Sequence, residues 1–443
     1  MATDHDQPTG PFEGPEKLLE IWFCPSPADV PDAHVSPVGK PGLRKVPREV
    51  WAEMLDIVKC KILSVVEGME MDAYLLSESS LFISPHRLIL KTCGTTLNLL
   101  GLPRILEIAK DHACLPSVYR CFYSRKAFMF PERQVGPHRE WKAEIDFLDQ
   151  IFPNGAAYTV GKVNGDHWLL YMSSPDEDAG ANPALRSGNS VPYTTKPPEA
   201  DLDRDTAEES QPTSPPGDIS QDYTIEILMS QLSPKACAPF MTSSLVSEIS
   251  QLNPLDQAIA LSSSVGISDL FPAELTTLDA YSFIPCGYSS NALLRWKEDS
   301  GAGPARSGEG YYSIHVTPEP DWSYASFECN VPLPTLPNGE PRSIPDLKTL
   351  VRRVVNIFQP GKLTLTLFVS SKDNNTAEEE DGESAVEAAQ RAFKAALITP
   401  LKEVDGPVCS GSPAFGGVYK RTDKINYEFG GYDLAFATFE LRS

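Results

Sequence analysis

The stretch AYLLSESSLFISPHRLILKTCGTT, residues 73–96, holds two strand-like runs separated by a run of serine and glutamate. Residues 73–76 and 88–92 carry the aliphatic and aromatic side chains that strands favour, and Pro85 between them marks a turn. Residues 77–80, Ser-Glu-Ser-Ser, interrupt this pattern; such residues are most often a turn or a helix cap, because they satisfy loose backbone donors. The stretch therefore predicts strands joined by turns and leaves a sharper role for the serine run open.

Outward from this stretch, strand-like sequence recurs along the chain, at residues 17–23, 156–163, 168–172, 223–229, 281–288, 311–317, 324–329, 363–369, 418–427 and 434–441. Apolar residues at helical spacing predict helices over residues 48–66, 98–109, 141–151 and 344–358. Because strands outnumber helices and the two do not alternate, the pattern predicts an α+β fold with largely antiparallel sheets. The halves share a loose helix-then-strand order, as a duplication would leave, without a sequence repeat that proves it.

Two segments differ from the rest in composition. Residues 173–221 are rich in Pro, Ser, Asp and Glu and almost free of large apolar side chains, so they cannot offset the entropy cost of ordering. We predict a disordered surface insertion there. Residues 372–383 form a second acidic tract, which we predict to be a loop.

Composition narrows the class of protein. The 443-residue chain is 41% hydrophobic, enough for a core, and its formal net charge of -22 argues against a nucleic-acid-binding surface and suits cationic ligands. The nine cysteines lack paired CxxC spacing and indicate reduced thiols, not disulfides or a zinc site. No apolar run approaches the ~20 residues of a membrane span, and residues 1–14 show no signal peptide. We therefore predict a cytoplasmic enzyme or scaffold without a metal, membrane or nucleic-acid partner.

The serine run has one chemical use beyond a turn. A serine hydroxyl can attack the carbonyl before it and convert that peptide bond into an ester, if the backbone is strained and the oxyanion is stabilised. At the bond between Glu78 and Ser79, loss of the α-proton would then eliminate the ester and leave dehydroalanine, which hydrolyses to an amino-terminal pyruvoyl group. Residue types alone favour the turn, because caps and turns are far more common.

Several short motifs follow one another between residues 12 and about 439: PFEGPEKLLEIWF, YLLSESSLFIS, ILKTCGTTL, FYSRKAF, IFPNGAAY, EILMSQL, PCGYS and IHVTPEP. Together they resemble eukaryotic S-adenosylmethionine decarboxylase, and the insertions resemble those of a fungal member. The resemblance implies cleavage before Ser79, so that residues 1–78 become a β chain and residues 79–443 an α chain that begins with the pyruvoyl group. It also implies one domain, a four-layer αββα sandwich of two largely antiparallel sheets flanked by helices.

The resemblance also implies catalytic roles. The pyruvoyl carbonyl derived from Ser79 would form a Schiff base with the substrate amine and accept the electrons that decarboxylation releases. Cys93 matches the donor that then protonates the α-carbon, although a cysteine in an apolar strand is more often a small core residue. His315 and Ser289 match the base and the hydroxyl of self-processing; without the resemblance they would be interpreted as a core histidine and a turn serine.

Substrate recognition requires groups for an adenine face, two ribose hydroxyls and a sulfonium cation. Phe12 and Phe283 match an aromatic pair that resembles a clamp on adenine, and aromatic faces also favour a nearby cation. Glu319 matches the carboxylate that accepts both ribose hydroxyls. The remaining carboxylates of the site motifs are Glu13, Glu16 and Glu78, the last also in the substrate site. By charge pattern alone, the PFEGPEK segment would be a solvated loop.

A second group of residues matches the family's buried acidic cluster, where a diamine such as putrescine binds in animal and fungal members: Glu20, Asp222, Glu226 and Glu328. Buried carboxylates are costly unless compensated, which a dication or Lys91 would do. Less strongly matched lining residues are Thr224, Phe368, Tyr432 and Ser124. Plant relatives have an arginine, taken to mimic the diamine, at the position of Leu18, so its absence here favours a ligand-responsive site. Alternating glutamates are also typical of the solvent face of a strand.

The resemblance thus predicts a self-cleaving, pyruvoyl-dependent decarboxylase of S-adenosylmethionine, whose product is the aminopropyl donor for spermidine and spermine. Two alternatives remain open: a catalytically dead regulatory paralogue, and an amino-terminal-nucleophile hydrolase whose new terminus stays an amine. The intact processing and protonation residues argue against the dead paralogue. Mass spectrometry of the α chain distinguishes the hydrolase, which keeps an amino terminus, from the decarboxylase, which has a pyruvoyl terminus. The expected partners are S-adenosylmethionine, putrescine as an activator, and a second cleaved protomer in a homodimer.

Overall fold

Two eight-stranded sheets form the centre of the structure, a computed structural model that describes residues 11–34, 39–77, 79–152, 154–174, 222–241, 253–298, 306–334, 343–398 and 417–442. The strands of the first sheet are β1 (Lys17–Trp22), β2 (Ile62–Glu67), β3 (Asp72–Leu76), β4 (Ser79–Ile83), β5 (Arg87–Thr92), β6 (Arg120–Lys126), β7 (Gly155–Gly161) and β8 (His167–Ser173). Their order is β2-β3-β4-β5-β1-β6-β8-β7, with antiparallel neighbours throughout.

The second sheet repeats this arrangement. Its strands are β9 (Tyr223–Leu232), β10 (Thr276–Ser282), β11 (Tyr288–Glu298), β12 (Arg306–Thr317), β13 (Tyr324–Cys329), β14 (Pro360–Ser370), β15 (Tyr419–Phe429) and β16 (Tyr432–Leu441). Their order is β10-β11-β12-β13-β9-β14-β16-β15, which is the order of the first sheet with each strand number raised by eight. The two halves of the chain therefore share a topology that their sequences only suggested.

Helices cover the outer face of each sheet. They are α1 (Arg48–Ile57), α2 (Leu102–Ala113), α3 (Trp141–Asp149), α4 (Pro234–Cys237), α5 (Pro254–Val265), α6 (Leu347–Phe358), α7 (Ser371–Asp381) and α8 (Ala385–Leu397). One buried cluster joins α1 and α2 to the first sheet, and another joins α5, α6 and α8 to the second. Two further clusters mix residues of both sheets, for example Phe82 with Tyr311 and Phe122 with Tyr432. The layers are helix, sheet, sheet and helix, which confirms the predicted αββα sandwich.

The period of two in a strand decides which side chains enter the layer between the sheets. In β1, Leu19 and Ile21 pack toward the helices, whereas Trp22 packs against the second sheet. In β4, Leu81 packs toward the helices and Phe82 packs against the second sheet. Polar residues that alternate with the helix-facing ones therefore share one inter-sheet layer, and His315 with its hydrogen-bond partners lies there.

Two sequence predictions, a helix and a loop, are wrong. The helix predicted over residues 48–66 ends at Ile57, because Lys59 adopts φ 63° and the β-branched residues of 62–67 form β2. The predicted loop 372–383 contains α7, which Ser370 caps by accepting from Asp373 N. The capping signal outweighed the acidic composition.

The strand predicted over residues 281–288 is mostly the turn between β10 and β11, where Gly287 has φ 113°. The strands β4 and β6, most of β10 and β11, and the helices α4, α5 and α8 were not foreseen. Of the predicted insertion 173–221, residues 175–221 lie outside the described residues, so its disorder stays a prediction. Among the residues that the structure does describe, no helix has the length and apolar character to cross a membrane.

Candidate active site

Ser79 begins β4 and is completely buried. Its backbone pairs with Leu76 of β3 and Thr92 of β5, so the proposed cleavage point lies inside the first sheet. Its hydroxyl lies on the helix side of the strand, where Cys60 Sγ donates to Ser79 Oγ at 3.6 Å. Glu78, on the other side of the proposed scissile bond, lies outside the described residues. The serine is thus shielded from water and has a thiol against its hydroxyl.

His315 on β12 lies between two serine hydroxyls. Its Nδ1 is 2.9 Å from Ser289 Oγ, and its Nε2 is 3.0 Å from Ser80 Oγ. Ser80 in turn donates to Asn291 Oδ1 at 2.6 Å, and all four side chains are buried. Burial, with the positive charge of Lys91, lowers the pKa of His315 well below 6.5. The imidazole is therefore neutral at physiological pH and can accept a proton.

Cys93 directly follows β5 and is buried. The next residue, Gly94, has φ +60°, and a Cβ there would lie 3.2 Å from the ring of Phe12. Gly94 N donates to Glu13 O at 2.9 Å, and Lys17 Nζ donates to Gly94 O at 2.8 Å. Burial lowers the pKa of Lys17 to about 8, although Cys93 opposes this shift. Hydrogen bonds at both the backbone nitrogen and the carbonyl oxygen of Gly94 therefore hold the turn that follows the Cys93 thiol.

The segment before β1 connects the Cys93 turn to Glu319. Phe12 N donates to Glu319 Oε2 at 2.7 Å, across 307 positions of sequence. The carboxylate of Glu13 accepts from the backbone nitrogens of Met129 and Phe130 at 2.7 and 2.8 Å. Burial raises the pKa of Glu13, and these two bonds oppose the increase. Glu13 thus anchors the segment, and the backbone nitrogen of Phe12 holds the Glu319 carboxylate beside it.

Phe283 lies in the turn between β10 and β11. Its backbone nitrogen donates to Gly287 O at 3.0 Å, and its ring centroid is 4.9 Å from that of Tyr281. The turn precedes Ser289 on β11, so the half-buried ring belongs to the same hairpin as the Ser289 hydroxyl. The adenine clamp between Phe12 and Phe283 stays a prediction.

Glu16 connects the active-site region to the middle of the inter-sheet layer. Its carboxylate accepts from Tyr324 Oη at 2.9 Å and from Ser326 Oγ. Ser326 is the register partner of His315 on the neighbouring strand. Burial raises the pKa of Glu16, although Lys91 opposes the shift. Glu16 therefore lies between the histidine and the charges described next.

Lys91 and Glu328 form an ion pair in the middle of the layer. Lys91 Nζ lies 2.9 Å from Glu328 Oε2, with both side chains at most 1% exposed. The other oxygen of Glu328 accepts from Tyr311 Oη. Burial alone would lower the pKa of Lys91, but Glu328 and Glu16 outweigh it and raise the pKa. Lys91 is two residues before Cys93, so this pair lies on the strand that leads to the thiol.

Two glutamates beside this pair have strongly shifted pKa values. Burial and the nearby Glu328 raise the pKa of Glu226 to about 7, while Thr366 Oγ1 donates to it at 3.1 Å. Burial also raises the pKa of Glu20 to about 7, against the opposing charge of Arg87 at 3.2 Å. Both carboxyls are therefore partly protonated near neutral pH.

Asp222 marks the far end of the acidic cluster. Tyr432 Oη donates to its carboxylate, and Arg120 Nη1 donates to Tyr432 Oη at 2.5 Å while lying 3.9 Å from the carboxylate. Phe368 stacks on Tyr432 with centroids 4.8 Å apart. Burial raises the pKa of Asp222. The sequence did not indicate Arg120, whose guanidinium places a positive charge near the Asp222 carboxylate.

The two remaining predicted lining residues have separate positions. Thr224 lies on β9 opposite Phe368 in register, close to Asp222 in sequence. Ser124 is buried on β6, where its register partner is Leu18 of β1. Their contact with a diamine stays a prediction.

Sequence reasoning missed several residues in and around the site: Cys60, Ser80, Asn291, Lys17, Arg87 and Arg120. Ser80 and Lys17 lie inside the motifs that were singled out, so the signal was present but ambiguous. Arg120 is two residues before the FYSRKAF motif and shows nothing in sequence that distinguishes it from a surface arginine.

Comparisons with known proteins show which family this chain resembles. The family model described as adenosylmethionine decarboxylase matches residues 9–440. A Xenopus laevis protein named S-adenosylmethionine decarboxylase proenzyme is 38% identical over 82% of this chain and 86% of its own length. Proteins of the same name from Saccharomyces cerevisiae and Drosophila melanogaster are 31% and 33% identical, over 83% and 97% of this chain and 84% and 95% of their own lengths.

Proposed function

This chain belongs to the adenosylmethionine decarboxylase family and is made as a proenzyme that decarboxylates S-adenosylmethionine, and we propose that its pyruvoyl group forms from Ser79. The observation that carries the proposal is the neutral, buried His315, which contacts Ser80, the residue next to Ser79. Decarboxylated S-adenosylmethionine, the product, is the aminopropyl donor for spermidine and spermine.

Self-processing assigns separate tasks to the buried groups. Ser79 Oγ attacks the preceding carbonyl carbon, the peptide C–N bond breaks, and an ester and a free amine result. His315 then removes the α-proton of Ser79; the electron pair forms the Cα=Cβ bond as the Cβ–O bond breaks and releases the β-chain carboxylate. Water hydrolyses the resulting enamine through its imine tautomer, which releases ammonia and leaves the pyruvoyl group. Cys60, against Ser79 Oγ, supports the hydroxyl's orientation before the attack.

The site fits a pyruvoyl group, because Ser79 is fully buried and its strand neighbours hold the backbone in place. When formed, the pyruvoyl group supplies an electron sink for loss of carbon dioxide. Cys93 is the residue that we assign to return a proton to the substrate α-carbon. Lys17 holds the adjacent Gly94 carbonyl, so it keeps the turn that carries this thiol in position.

For substrate binding, we assign Phe12 to the adenine face and Glu319 to the ribose hydroxyls. Their proximity supports this assignment, since the backbone nitrogen of Phe12 lies 2.7 Å from Glu319 Oε2. Phe283 completes the proposed clamp. Glu13 acts here as a positioning residue, because its carboxylate binds the backbone nitrogens of Met129 and Phe130.

We further propose that putrescine activates the enzyme through the acidic cluster. Carboxylates outnumber cations among the described residues of the cluster, and burial raises the pKa of Glu20 and of Glu226 to about 7. A diamine would neutralise them, and Lys91 and Glu16 would carry the effect toward Cys93 and His315. A homodimer of cleaved protomers in the cytoplasm is part of the same proposal.

The test is the mass of the purified chains. Wild-type protein should yield chains of 78 and 365 residues (443 - 78 = 365), the larger with a blocked pyruvoyl end, and Ser79→Ala should leave one inactive chain of 443 residues. Cleavage one residue later would transfer the role to Ser80, which contacts His315 directly. A wild-type protein that is fully active and uncleaved would contradict the proposal.

A further inference from the structure

Asn291 begins a chain of hydrogen bonds that crosses between the sheets and ends at the proposed base. Asn291 Nδ2 donates to Tyr74 O at 3.0 Å, and Asn291 Oδ1 accepts from Ser80 Oγ at 2.6 Å. Ser80 Oγ is 3.0 Å from His315 Nε2, and His315 Nδ1 is 2.9 Å from Ser289 Oγ. Tyr74 and Ser80 belong to the first sheet, and the other three residues belong to the second.

The direction of each bond follows from the first one. A backbone carbonyl oxygen can only accept, so the amide nitrogen of Asn291 must face Tyr74 O, and its oxygen must face Ser80. An amide oxygen can only accept as well, so the hydroxyl of Ser80 donates its one proton to Asn291. Ser80 Oγ is then left as an acceptor toward His315.

The same logic fixes the tautomer of the histidine. Because Ser80 Oγ accepts, His315 Nε2 must carry the ring proton. The imidazole is neutral, since burial lowers its pKa well below 6.5, so Nδ1 carries a lone pair and Ser289 donates to it. A proton taken up by His315 therefore arrives at Nδ1, on the side of the ring that Ser289 occupies.

We propose that Asn291 is a positioning residue that, through Ser80, keeps the proton of His315 on Nε2 and leaves Nδ1 as the basic nitrogen for self-processing. The proposal rests on the proposed role of His315 as the base. Asn291 does not contact Ser79 in the described hydrogen bonds, so it acts through another residue and is not itself catalytic.

The decisive variant is Asn291→Leu, which keeps similar volume but removes the acceptor for Ser80. The freed Ser80 hydroxyl can then donate to His315 Nε2, which moves the ring proton to Nδ1 and removes the basic lone pair. Processing should slow about 100-fold, the lower range of a general-base contribution. Asn291→Asp keeps an acceptor for Ser80, and burial favours its protonated carboxyl, whose O–H can replace Nδ2 as the donor to Tyr74 O. This variant should therefore process faster than Asn291→Leu, whereas a purely structural role predicts equal losses in both variants.

The tautomer itself can be measured in the uncleaved chain by ¹⁵N NMR of histidine side chains. In Ser79→Ala protein, His315 should show a protonated Nε2, and adding Asn291→Leu should shift the proton to Nδ1; His315→Gln identifies the signals. This readout does not require processing, so it separates the tautomer proposal from the function proposal. A protonated Nδ1 in Ser79→Ala protein, or an unchanged tautomer after Asn291→Leu, would overturn the proposal.

Ser80→Ala provides a second test that does not disturb the Asn291 contact with Tyr74. It removes the acceptor from His315 Nε2 but introduces no donor there, so processing should slow less than in Asn291→Leu. Thermal unfolding checks that each chain is folded before rates are compared. Slower processing in folded Ser80→Ala than in folded Asn291→Leu would contradict the proposed direction of the chain.

Discussion

The polar layer between the sheets has two ends that are built differently. The active-site end consists of Ser80, Ser289, Asn291 and His315, and the acidic end consists of Glu20, Asp222, Glu226 and Glu328. At the active-site end the groups are neutral and each donor faces an acceptor. At the acidic end carboxylates accumulate, and burial raises the pKa of Glu20 and of Glu226 to about 7.

The contrast between neutral groups at one end and carboxyls at the other means that the two ends respond differently to charge. The hydrogen-bonded groups at the active-site end are neutral, so a nearby cation or a change of pH around 7 alters their charge little. Buried carboxyls whose pKa lies near 7 respond to both. Lys91 pairs with Glu328 of the acidic end. We interpret the active-site end as a fixed device for making the catalytic group, and the acidic end as its charge-sensitive control.

The largest expected effect separates processing from turnover. Cys93→Ala leaves the Ser80–Asn291–His315 chain intact, so the protein should still cleave at least partly. Decarboxylation should fall by about 10²- to 10⁴-fold, because the donor for the α-carbon is missing. Slow or misplaced protonation should also inactivate the enzyme by transferring the substrate amine to the pyruvoyl group, which mass spectrometry of the α chain detects. Full turnover in Cys93→Ala would require a different proton donor.

The next effect tests the ion pair between Lys91 and Glu328. Lys91→Met leaves Glu328 buried without its cation and should lower the free energy of unfolding by about 3–5 kcal/mol, measured by denaturant titration. Adding Glu328→Gln removes the stranded charge and should recover much of the loss. If the single and double variants were equally destabilised, packing and not charge compensation would explain the role of Lys91.

The smallest effect concerns the acidic end and its dependence on pH. Glu20 and Glu226 bind protons more tightly in the folded chain than their usual pKa of 4.5 allows, so their stabilising contribution is complete below pH 4.5 and is lost as pH rises through about 7. Putrescine favours the ionised carboxyls, so its binding should release protons at pH 6.5 and few at pH 8.5. Calorimetry in buffers with different ionisation enthalpies measures this release.

The same binding should accelerate processing and decarboxylation, with a coupling of about 1–3 kcal/mol. Glu226→Gln or Asp222→Asn should blunt both the acceleration and the proton release without abolishing basal cleavage. Glu274→Gln, the same kind of change at an exposed site, is the matched control and should alter neither. Rates indifferent to putrescine, together with no diamine binding, would mean that the cluster is structural and that Arg120 and Lys91 already satisfy it.

Much of the fold could be predicted because the relevant patterns are local. The apolar runs indicated most of the strands, and β13 was predicted with its observed bounds, 324–329. Errors arose where a local pattern spans a change of structure, as at Lys59, whose positive φ separates α1 from β2. They also arose where a cap decides, as at Ser370, which starts a helix in an acidic tract.

The candidate site was predictable only through its motifs. Ser79, Cys93, Ser289 and His315 were identified by resemblance, and the structure places all four in buried positions. Their contacts could not be predicted from the sequence. The strand β4 was not predicted, so the alternation that directs Ser80 toward His315 could not be inferred.

The sequence alone predicts candidate residues for the chemistry and, through the period of two, indicates which residues of a strand share a face. The tertiary structure alone decided which of them meet. Ser80 and Asn291 are 211 positions apart, and Arg120 and Tyr432 are 312 apart. Such contacts depend on how two separately formed sheets pack across shared clusters such as Phe82 with Tyr311, and no local pattern records that alignment.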